Sequence, residues 1–527
     1  MNTRTRFVTL AVIILMLCMA LSALYPLPAG LLKPRHTWAM QTNAAFFIAL
    51  AHIGIYVGLL LAYLAALSIF SRQSPKSPIS NLFVWLSWMV FAFALLFSFP
   101  GESADIFDYI FRGRMMAEYR LSPLVTTPAE VQQYAFHRYV SWSQWVDAYG
   151  PLWEYASAGV SLLVRAQASP AELAALAAGN DVCTARPILC TALTHYITAY
   201  RVLALALSAV CGLFIHAIVK REYDVTTARV ALLGWLWNPL VLVSTAIGAH
   251  NDVLMLVFIL LGLWLFQRQK FLLGLLALLF AAHVKITALV LLPVFVVWLA
   301  KNLSQLVARD QITALRTARR DPIPETIALV VITLLIMLPV SWLLYAPLGG
   351  WATLPKNLFE RSQLSTNSLG ELAFLFLRDG LGWVKFDAQQ PVARIFPIIF
   401  VLVAGIVLLR WLLRQRTTNL ARMCAVITLL YLLIGSYWFQ AWYLAWPIAL
   451  AWLHPEGKLA RRVLPIFATS AMIAAVLSDY LRNAAVPILA PWQISVLVVC
   501  LMGLALAVSL VRDQILKSPK GATNSPA

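Results

Sequence analysis

Two carboxylates directly follow an apolar run, in the stretch SADIFDYIFRGR. Asp105 and Asp108 stand at the boundary between this run and a polar segment. A carboxylate at an apolar boundary is partly desolvated, which raises its affinity for a proton and suits it to general-base catalysis. Acidic residues are also common at helix starts, where they stabilise the positive end of the helix. From these residues alone, a catalytic base and an acidic helix start both remain open.

A second group of polar residues lies between strongly apolar stretches. The sequence GAHND places His250, Asn251 and Asp252 side by side, and Lys285 has apolar residues on both sides. Ionisable groups within or beside a membrane segment are candidates for function. Asn and Asp also cap tight turns, however, and a lysine can extend to the membrane interface. Lys285 and Arg201 are cations of the kind that hold a phosphate group.

Aromatic residues mark two further candidate binding segments. Tyr149 lies in YGPLWEY, and Gln440, Trp442 and Tyr443 lie in YWFQAWYLAW. Aromatic faces stack on sugar rings and isoprenoid chains, but an interfacial aromatic belt has the same composition. The sequence has no HExxH or CxxC spacing, no P-loop and no nucleophile triad, so it predicts neither a metal nor a cofactor.

Long apolar runs must position these residues. Of the 527 residues, 61% are hydrophobic and 12% are charged, whereas soluble domains are about one quarter charged. This composition excludes a soluble multidomain protein. The apolar runs predict an all-α polytopic membrane protein with about 11–14 transmembrane helices. The expected organisation comprises transmembrane helices in 1–99, a large outer segment in 100–196, central transmembrane helices in 197–345, a second outer segment in 346–391, and transmembrane helices with a short cytoplasmic tail in 392–527.

The first outer segment is predicted to contain helices of its own. In DIFDYIFRGRMMAEY, charged and apolar residues alternate at helical spacing, which predicts an amphipathic helix along the membrane surface. The short apolar run at 152–164 predicts a re-entrant or surface helix. Cys183 and Cys190 bracket a polar stretch on the same side, where an oxidising compartment permits a disulfide. The spacing leaves both the bonded and the free state open.

The basic charge of the chain indicates its orientation. The 40 Lys and Arg residues exceed the 22 Asp and Glu residues, which gives a net charge of +18. With the N-terminus in the cytoplasm, nearly all of this excess falls in the connections on that side, the longest of which is 301–324. This distribution follows the positive-inside rule. It indicates a membrane orientation rather than a nucleic-acid partner, and it places the candidate site on the non-cytoplasmic face.

Several short motifs occur together in one order along residues 100 to 445. They are Asp105, Tyr109 and Gly113 at four-residue spacing, Ser122-Pro123, Tyr149-Gly150-Pro151-Leu152, Trp237-Asn238-Pro239-Leu240, Gly248 to Asp252, Lys285, and Phe439 to Tyr443. This ordered set resembles the polyprenol-phosphate-mannose-dependent mannosyltransferases of the GT-C superfamily, of the alpha-1,6 type. The chain departs from the family pattern at Leu124, where an aromatic residue is common, and at Ala441, where proline is common.

The resemblance implies a GT-C-like helix bundle with large non-cytoplasmic loops. It also implies an inverting hexosyltransferase that moves a sugar, expected to be mannose, from a polyprenyl-phosphate donor to a glycan or lipid acceptor. By position, Asp105 would be the aspartate base of the first outer loop. The expected location is the bacterial inner (plasma) membrane, with the site on its outer side. A multi-span transporter or lipid flippase is the alternative class; the absence of matching halves and the clustering of polar groups on one face weigh against it.

Overall fold

The protein is an all-α polytopic membrane protein, as predicted. The computed structural model describes residues 2–32, 44–72, 80–101, 103–179, 183, 186–310, 322–362, 364–414, 419–483 and 489–515. Seven helices in these ranges are long and apolar enough to cross a membrane. They are α1 (Thr3–Leu24), α3 (Ala45–Phe70), α8 (Pro187–Glu222), α14 (Pro322–Tyr345), α17 (Lys385–Leu413), α20 (Leu464–Asn483) and α21 (Pro491–Ile515).

Other apolar helices are shorter or bent. The helices α9 (Val225–Leu236) and α10 (Pro239–Ala246) form one apolar pair with a bend of 52°. The remaining apolar helices include α2 (Leu27–Leu31), α4 (Asn81–Leu95), α11 (Asp252–Gln267), α12 (Phe271–Val284), α13 (Leu292–Asp310), α18 (Leu420–Leu430) and α19 (Ala445–Ala451). By length and composition the described residues therefore contain seven spans, or eight with the bent pair. The larger number of about 11–14 transmembrane helices counts some of the shorter helices as spans, and it stays a prediction. Helices shorter than about 18 residues do not cross a bilayer on their own.

The first outer segment contains α5 (Asp105–Tyr119), α6 (Pro151–Gln167) and α7 (Pro170–Ala177). The predicted helix over DIFDYIFRGRMMAEY is confirmed as α5, but most of it is enclosed by the protein and does not present an exposed polar face. Every residue from 106 to 115 is buried, because α5 packs against α6 and α8. Gly113 permits this close packing: a Cβ atom there would lie 2.5 Å from the Tyr200 hydroxyl and 2.7 Å from the Ser157 carbonyl oxygen.

The end of this segment differs from the predicted boundary. The long helix α8 begins at Pro187, about three turns before the expected start of the central helices at 197. Cys183 and Cys190 are disulfide-bonded, which ties the preceding loop to the first turn of α8. Part of the predicted cytoplasmic connection 301–324, residues 311–321, lies outside the described residues, as does the tail from 516 onward.

The break between α9 and α10 brings the GAHND segment into position. Asn238 caps α10 by accepting hydrogen bonds from the main-chain N–H groups of Leu240 and Val241, and Pro239 occupies the first turn, where it needs no hydrogen-bond partner. The eight-residue helix α10 then ends at Ala246, and α11 begins at Asp252. The residues between them form a tight turn that faces the start of α5.

The second outer segment contains α15 (Thr353–Ser362) and α16 (Leu369–Leu375). The Ser122 hydroxyl donates a hydrogen bond of 2.8 Å to the Leu348 carbonyl, and the Asn357 amide donates one of 3.1 Å to the Asp147 carbonyl. These contacts connect the first outer segment with the second.

Candidate active site

A cavity of about 300 Å³ lies between the two outer segments and the ends of the apolar helices. One wall is the face of α5 that carries both predicted carboxylates. Another is the segment that follows α12, where the helix is interrupted at Lys285. Five of the predicted site residues line this cavity: Asp105, Asp108, Tyr149, Lys285 and Tyr443. The tertiary structure thus brings together residues that are up to about 340 positions apart in the sequence.

Asp105 occupies the first position of α5 and keeps part of its carboxylate accessible, with 15% of the side chain exposed. One carboxylate oxygen accepts a hydrogen bond of 3.3 Å from the Trp142 indole, and the other lies 3.7 Å from Nδ1 of His250. Burial raises the pKa of Asp105 above its ordinary value, although Trp142 and the positive charge of Lys285 oppose this effect. The carboxylate is therefore a stronger base than a solvent-exposed aspartate.

Asp108 has a different environment, although it lies one helical turn away. Its two oxygens accept hydrogen bonds from the main-chain N–H groups of Ser141 and Trp142, at 3.2 and 3.1 Å. Only 4% of the residue is exposed. Burial raises the pKa of Asp108 to about 7, and the charge of Arg112 opposes the shift. This carboxyl group holds the 141–142 loop against α5 and so supports the indole that contacts Asp105.

Lys285 reaches the cavity because the helix breaks at this residue. The helix α12 ends at Val284, Lys285 adopts an extended conformation, and the chain continues as a short 3-10 helix from Ile286 to Leu291. Its ammonium group donates a hydrogen bond of 2.9 Å to Asp252 Oδ1. The ammonium nitrogen also lies 4.2 Å from the ring centroid of Tyr443, which is cation–π distance.

Asp252 binds two donors with the same oxygen. Its Oδ1 accepts hydrogen bonds from Lys285 and from the Trp446 indole, the latter at 2.6 Å. The residue is 2% exposed and does not line the cavity. Asp252 is consequently placed to orient the lysine rather than to contact a substrate.

Tyr149 and Gly150 connect the first outer segment to the lysine. The Tyr149 hydroxyl lies 3.3 Å from the Tyr109 hydroxyl, and the Tyr149 ring centroid is 5.5 Å from the Lys285 nitrogen. The Gly150 N–H donates a hydrogen bond of 3.0 Å to the Val284 carbonyl. A Cβ atom at Gly150 would collide with the main-chain carbonyl of His283, so this approach requires glycine.

We expect Gly150→Ala to destabilise the protein by about 1–3 kcal/mol, the usual cost of forcing an extra carbon into a packed contact. Any reaction that uses Tyr149 and Lys285 together should slow as well, because the change pushes Tyr149 away from Lys285. Thermal unfolding in detergent and an activity assay measure the two effects. Gly159→Ala on α6 is the matched control, because a Cβ atom there has no neighbour within 4 Å among the described residues. Equal behaviour of the two variants would contradict the prediction.

His250 and its neighbours form a layer behind Asp105. The His250 ring stacks on the Trp442 ring with centroids 4.0 Å apart and planes 10° apart. Burial holds the pKa of His250 well below its ordinary value, and Lys285 adds to this effect, so the imidazole is neutral. The Asn251 side chain is buried and forms no hydrogen bond with a residue that the structure describes. Gln440, which precedes a short turn at Ala441–Leu444, does not line the cavity.

A family model described as alpha-(1->6)-mannopyranosyltransferase, N-terminal domain, matches residues 7–302. The match covers more than half of the chain and includes Asp105, the GAHND segment and Lys285. The chain belongs to this family. The family expected from the ordered motifs is therefore confirmed.

A curated relative supports the same membership. The chain is 26% identical over 210 residues to alpha-(1->6)-mannopyranosyltransferase A of Corynebacterium glutamicum. The aligned part covers 40% of this chain and 37% of the relative. The chain thus matches little more than a third of the length of that mannosyltransferase.

Arg201 is one of the predicted site residues that lie outside the cavity lining. In this mannosyltransferase-family chain its guanidinium is fully buried on α8 and donates hydrogen bonds to three main-chain carbonyls, those of Leu96, Ser98 and Ile247. It does not line the cavity. Arg201 instead donates to carbonyl groups at the end of α4 and at the end of α10, and so fixes the turn that carries His250. Its contact with a donor phosphate stays a prediction.

Sequence reasoning missed Arg112, the second cationic side chain among the described residues that line the cavity. Its Nη2 donates hydrogen bonds to the Trp142 and Trp145 carbonyls, and its Nε lies 3.5 Å from Asp147 Oδ2. Helical spacing offered a signal, because residues 105, 108 and 112 share one face of a helix. No local pattern indicated a role for Arg112, because the loop that it holds begins about 30 positions further along the chain.

Glu154 on α6 lies behind this arginine. It is 1% exposed, and its carboxyl group lies beside that of Asp147. Burial raises the pKa of Glu154 well above its ordinary value, and the charge of Asp147 and a hydrogen bond with it add to the shift.

Proposed function

We propose that the protein is an inverting membrane mannosyltransferase that uses a polyprenyl-phosphate mannose donor and a glycan or lipid acceptor. The observation that carries the proposal is the partly accessible carboxylate of Asp105 in a cavity that also contains the ammonium group of Lys285. One group is a base and the other is a cation, which is the pair that glycosyl transfer from a phosphate leaving group requires. The family membership supports mannose as the sugar.

The reaction follows from these two groups. An acceptor hydroxyl oxygen attacks the anomeric carbon, and the bond between that carbon and the donor phosphate oxygen breaks. Asp105 accepts the hydroxyl proton, so the new glycosidic bond forms without a charged oxygen. The electron pair leaves with the polyprenyl phosphate, whose negative charge Lys285 stabilises. A single displacement from the opposite side inverts the anomeric centre.

The cavity walls suit a sugar bound to a lipid. The lining combines charged groups near Asp105 with aromatic rings, among them Trp142 and Trp438, whose ring centroids lie 5.3 Å apart. Aromatic faces pack on the apolar faces of sugar rings, while hydroxyl and carboxyl groups bind sugar hydroxyls. A lipid-linked donor also needs no nucleotide site, in agreement with the lack of a P-loop in the sequence.

A transfer assay tests the proposal. Purified protein in detergent is given radiolabelled polyprenyl-phosphate mannose and a mannan oligosaccharide or mannosylated lipid acceptor. We expect the label to appear in the acceptor, with the configuration inverted. Donor that crosses a liposome membrane without product formation would indicate the alternative, a transporter or flippase. Polyprenyl-phosphate glucose and arabinose, used as competing donors, test the identity of the sugar.

We also propose that the site faces the outer side of the bacterial plasma membrane. The charge distribution then predicts that Gln133→Cys, exposed in the first outer segment, reacts with a membrane-impermeant maleimide in intact cells. Lys270→Cys, in the short connection before α12, should react only after the membrane is opened. Both are made in a Cys500→Ser background, since Cys500 is the exposed one of the four free cysteines. Labelling of position 133 only in opened cells would contradict the orientation.

The raised pKa of Asp105 predicts the acidic limb of the pH profile. A general base is active only when deprotonated, so kcat/KM should fall on acidification, and it should begin to fall at a pH above the ordinary aspartate pKa of 3.8. The pKa of Asp108, about 7, could produce a similar limb. Asp108→Asn separates the two: the acidic limb should persist in this variant. Its disappearance would assign the titration to Asp108.

A further inference from the structure

A second cavity, of about 280 Å³, lies beside the first. It is formed where α17 and α21 begin and α20 ends, and α16 forms another wall. Leu364 lines both cavities, so they are neighbours on the same face of the helix bundle. The candidate reaction described above makes no use of this second cavity.

Three cationic side chains line the second cavity: Arg378, Lys385 and Arg482. One carboxylate, that of Glu371, also lines it. The Arg378 guanidinium pairs with Asp379, which lies outside the lining. The cationic residues therefore outnumber the acidic residues at a place where three apolar helices begin or end. The ends of membrane-spanning helices lie where a bilayer meets water.

The arginine at the end of α20 is oriented by two hydroxyl groups and by one carboxylate. Arg482 donates hydrogen bonds to the hydroxyls of Ser478 and Ser495, at 3.1 and 3.2 Å, and forms a longer ion pair of 3.9 Å with Glu371 Oε1. The hydroxyl partners fix the direction of the guanidinium, and the carboxylate balances part of its charge. Lys385 is exposed and forms no hydrogen bond or ion pair with a residue that the structure describes. Of the three cations, Lys385 thus keeps its full charge for a ligand, and Arg482 has an acidic partner only at 3.9 Å.

Exposed apolar side chains lie on the chain between α16 and α17, the segment that also supplies Arg378 and Lys385 to this cavity. Five large ones lie within eleven residues, and each exposes between 45% and 67% of its surface: Phe376, Leu381, Trp383, Val384 and Phe386. The same stretch carries Arg378 and Lys385. Apolar and aromatic residues interleaved with cations are typical of a segment that lies at the interface of a membrane.

We propose that this second cavity binds the phosphate group of a membrane lipid. Arg482 and Lys385 contact the phosphate, and the 376–386 segment packs on the acyl or prenyl chain. Phosphate fits because Arg recognises its oxygens through paired N–H groups and Lys supplies a point charge. A lipid fits better than free phosphate because exposed apolar residues lie near the cations in the same segment. The hydrocarbon chain of a lipid buries these residues, whereas free phosphate leaves them exposed.

The site does not depend on the sugar-transfer chemistry. It uses none of the residues assigned to that reaction, and the lipid that it binds would enter from the membrane. Its position next to the first cavity would keep a lipid phosphate close to the candidate active site. A lipid substrate waiting to react and a lipid product that has just been released both carry this group.

Lipid binding to the full-length protein in detergent tests the proposal. Native mass spectrometry measures the apparent affinity for phosphatidylglycerol, a phosphodiester lipid, and for phosphatidic acid, a phosphomonoester lipid; inorganic phosphate is the soluble probe. In Lys385→Gln/Arg482→Gln we expect at least about a fivefold loss of affinity for the lipids, the scale of one cation beside an anionic headgroup. Arg394→Gln, an exposed cation on the same helix α17 that does not line the cavity, is the matched control and should bind as the unmodified protein does.

Each outcome decides the proposal. Equal lipid affinity of the double variant and the Arg394→Gln control would overturn it. Binding of inorganic phosphate with the same sensitivity to the double change, without lipid binding, would overturn the lipid assignment. Asp105→Asn separates this site from the proposed function, because that variant should retain lipid binding even if transfer is lost.

Discussion

Asp105→Asn is expected to lower turnover by about 10²-fold or more, the scale of a lost general base. Asparagine keeps the shape of the side chain and can still accept the hydrogen bond from the Trp142 indole. It cannot accept a proton from the acceptor hydroxyl. Folding and donor binding should therefore be nearly unchanged, and the loss should appear in kcat rather than in KM.

Asp108→Asn is the matched comparison, because it removes a carboxylate from the same face of α5. Asp108 uses both oxygens to accept hydrogen bonds from main-chain N–H groups of the 141–142 loop. Asparagine keeps only one of these acceptors, because its amide nitrogen donates hydrogen bonds and does not accept them. We expect lower thermal stability and a smaller loss of turnover than at Asp105. Single-turnover transfer and thermal unfolding of both purified variants measure this. Near-normal transfer by Asp105→Asn, or a larger loss from Asp108→Asn, would show that Asp105 is not the base.

Lys285→Met should weaken donor use by about 1.5–3 kcal/mol in kcat/KM, the range for hydrogen bonds to charged groups. Methionine retains a long side chain between Tyr443 and Trp446 but has no charge to stabilise the leaving phosphate. Initial rates over a range of donor concentrations give the effect. Lys270→Met is the matched control, because Lys270 flanks the other end of α12 and is exposed. Unchanged donor kinetics in a folded Lys285→Met protein would remove this lysine from the reaction.

The role of Asp252 can be tested in the same series. Lys285→Met leaves the Asp252 carboxylate buried without its cation, which adds a stability cost unrelated to catalysis. The double variant Asp252→Asn/Lys285→Met removes that cost. If Asp252 only orients the lysine, the double variant should regain stability relative to Lys285→Met without regaining donor use. Further loss of turnover in the double variant would show that Asp252 contributes independently of Lys285.

The class of the protein follows from the sequence alone, and several candidate residues of its site were predicted from it. Apolar runs and low charge predict a polytopic helical membrane protein, because backbone groups in lipid must be satisfied within helices. The ordered motifs predicted the family that the comparison confirms. Asp105 and Lys285 were found for a related reason: an ionisable side chain beside or within an apolar run is costly unless the fold gives it a partner or a polar cavity.

The tertiary structure decided which polar residues face the cavity. Arg201 and Lys285 are both cations beside apolar runs, yet three carbonyls occupy Arg201 whereas a helix break opens Lys285 to the cavity. Asp105 and Asp108 are both acidic residues of the first turn, yet two N–H groups of a distant loop occupy only Asp108. The amphipathic pattern of α5 is compatible both with a helix on a membrane surface and with a helix packed inside the protein. Such differences depend on contacts between residues far apart in the chain, and local patterns carry no information about which of them form.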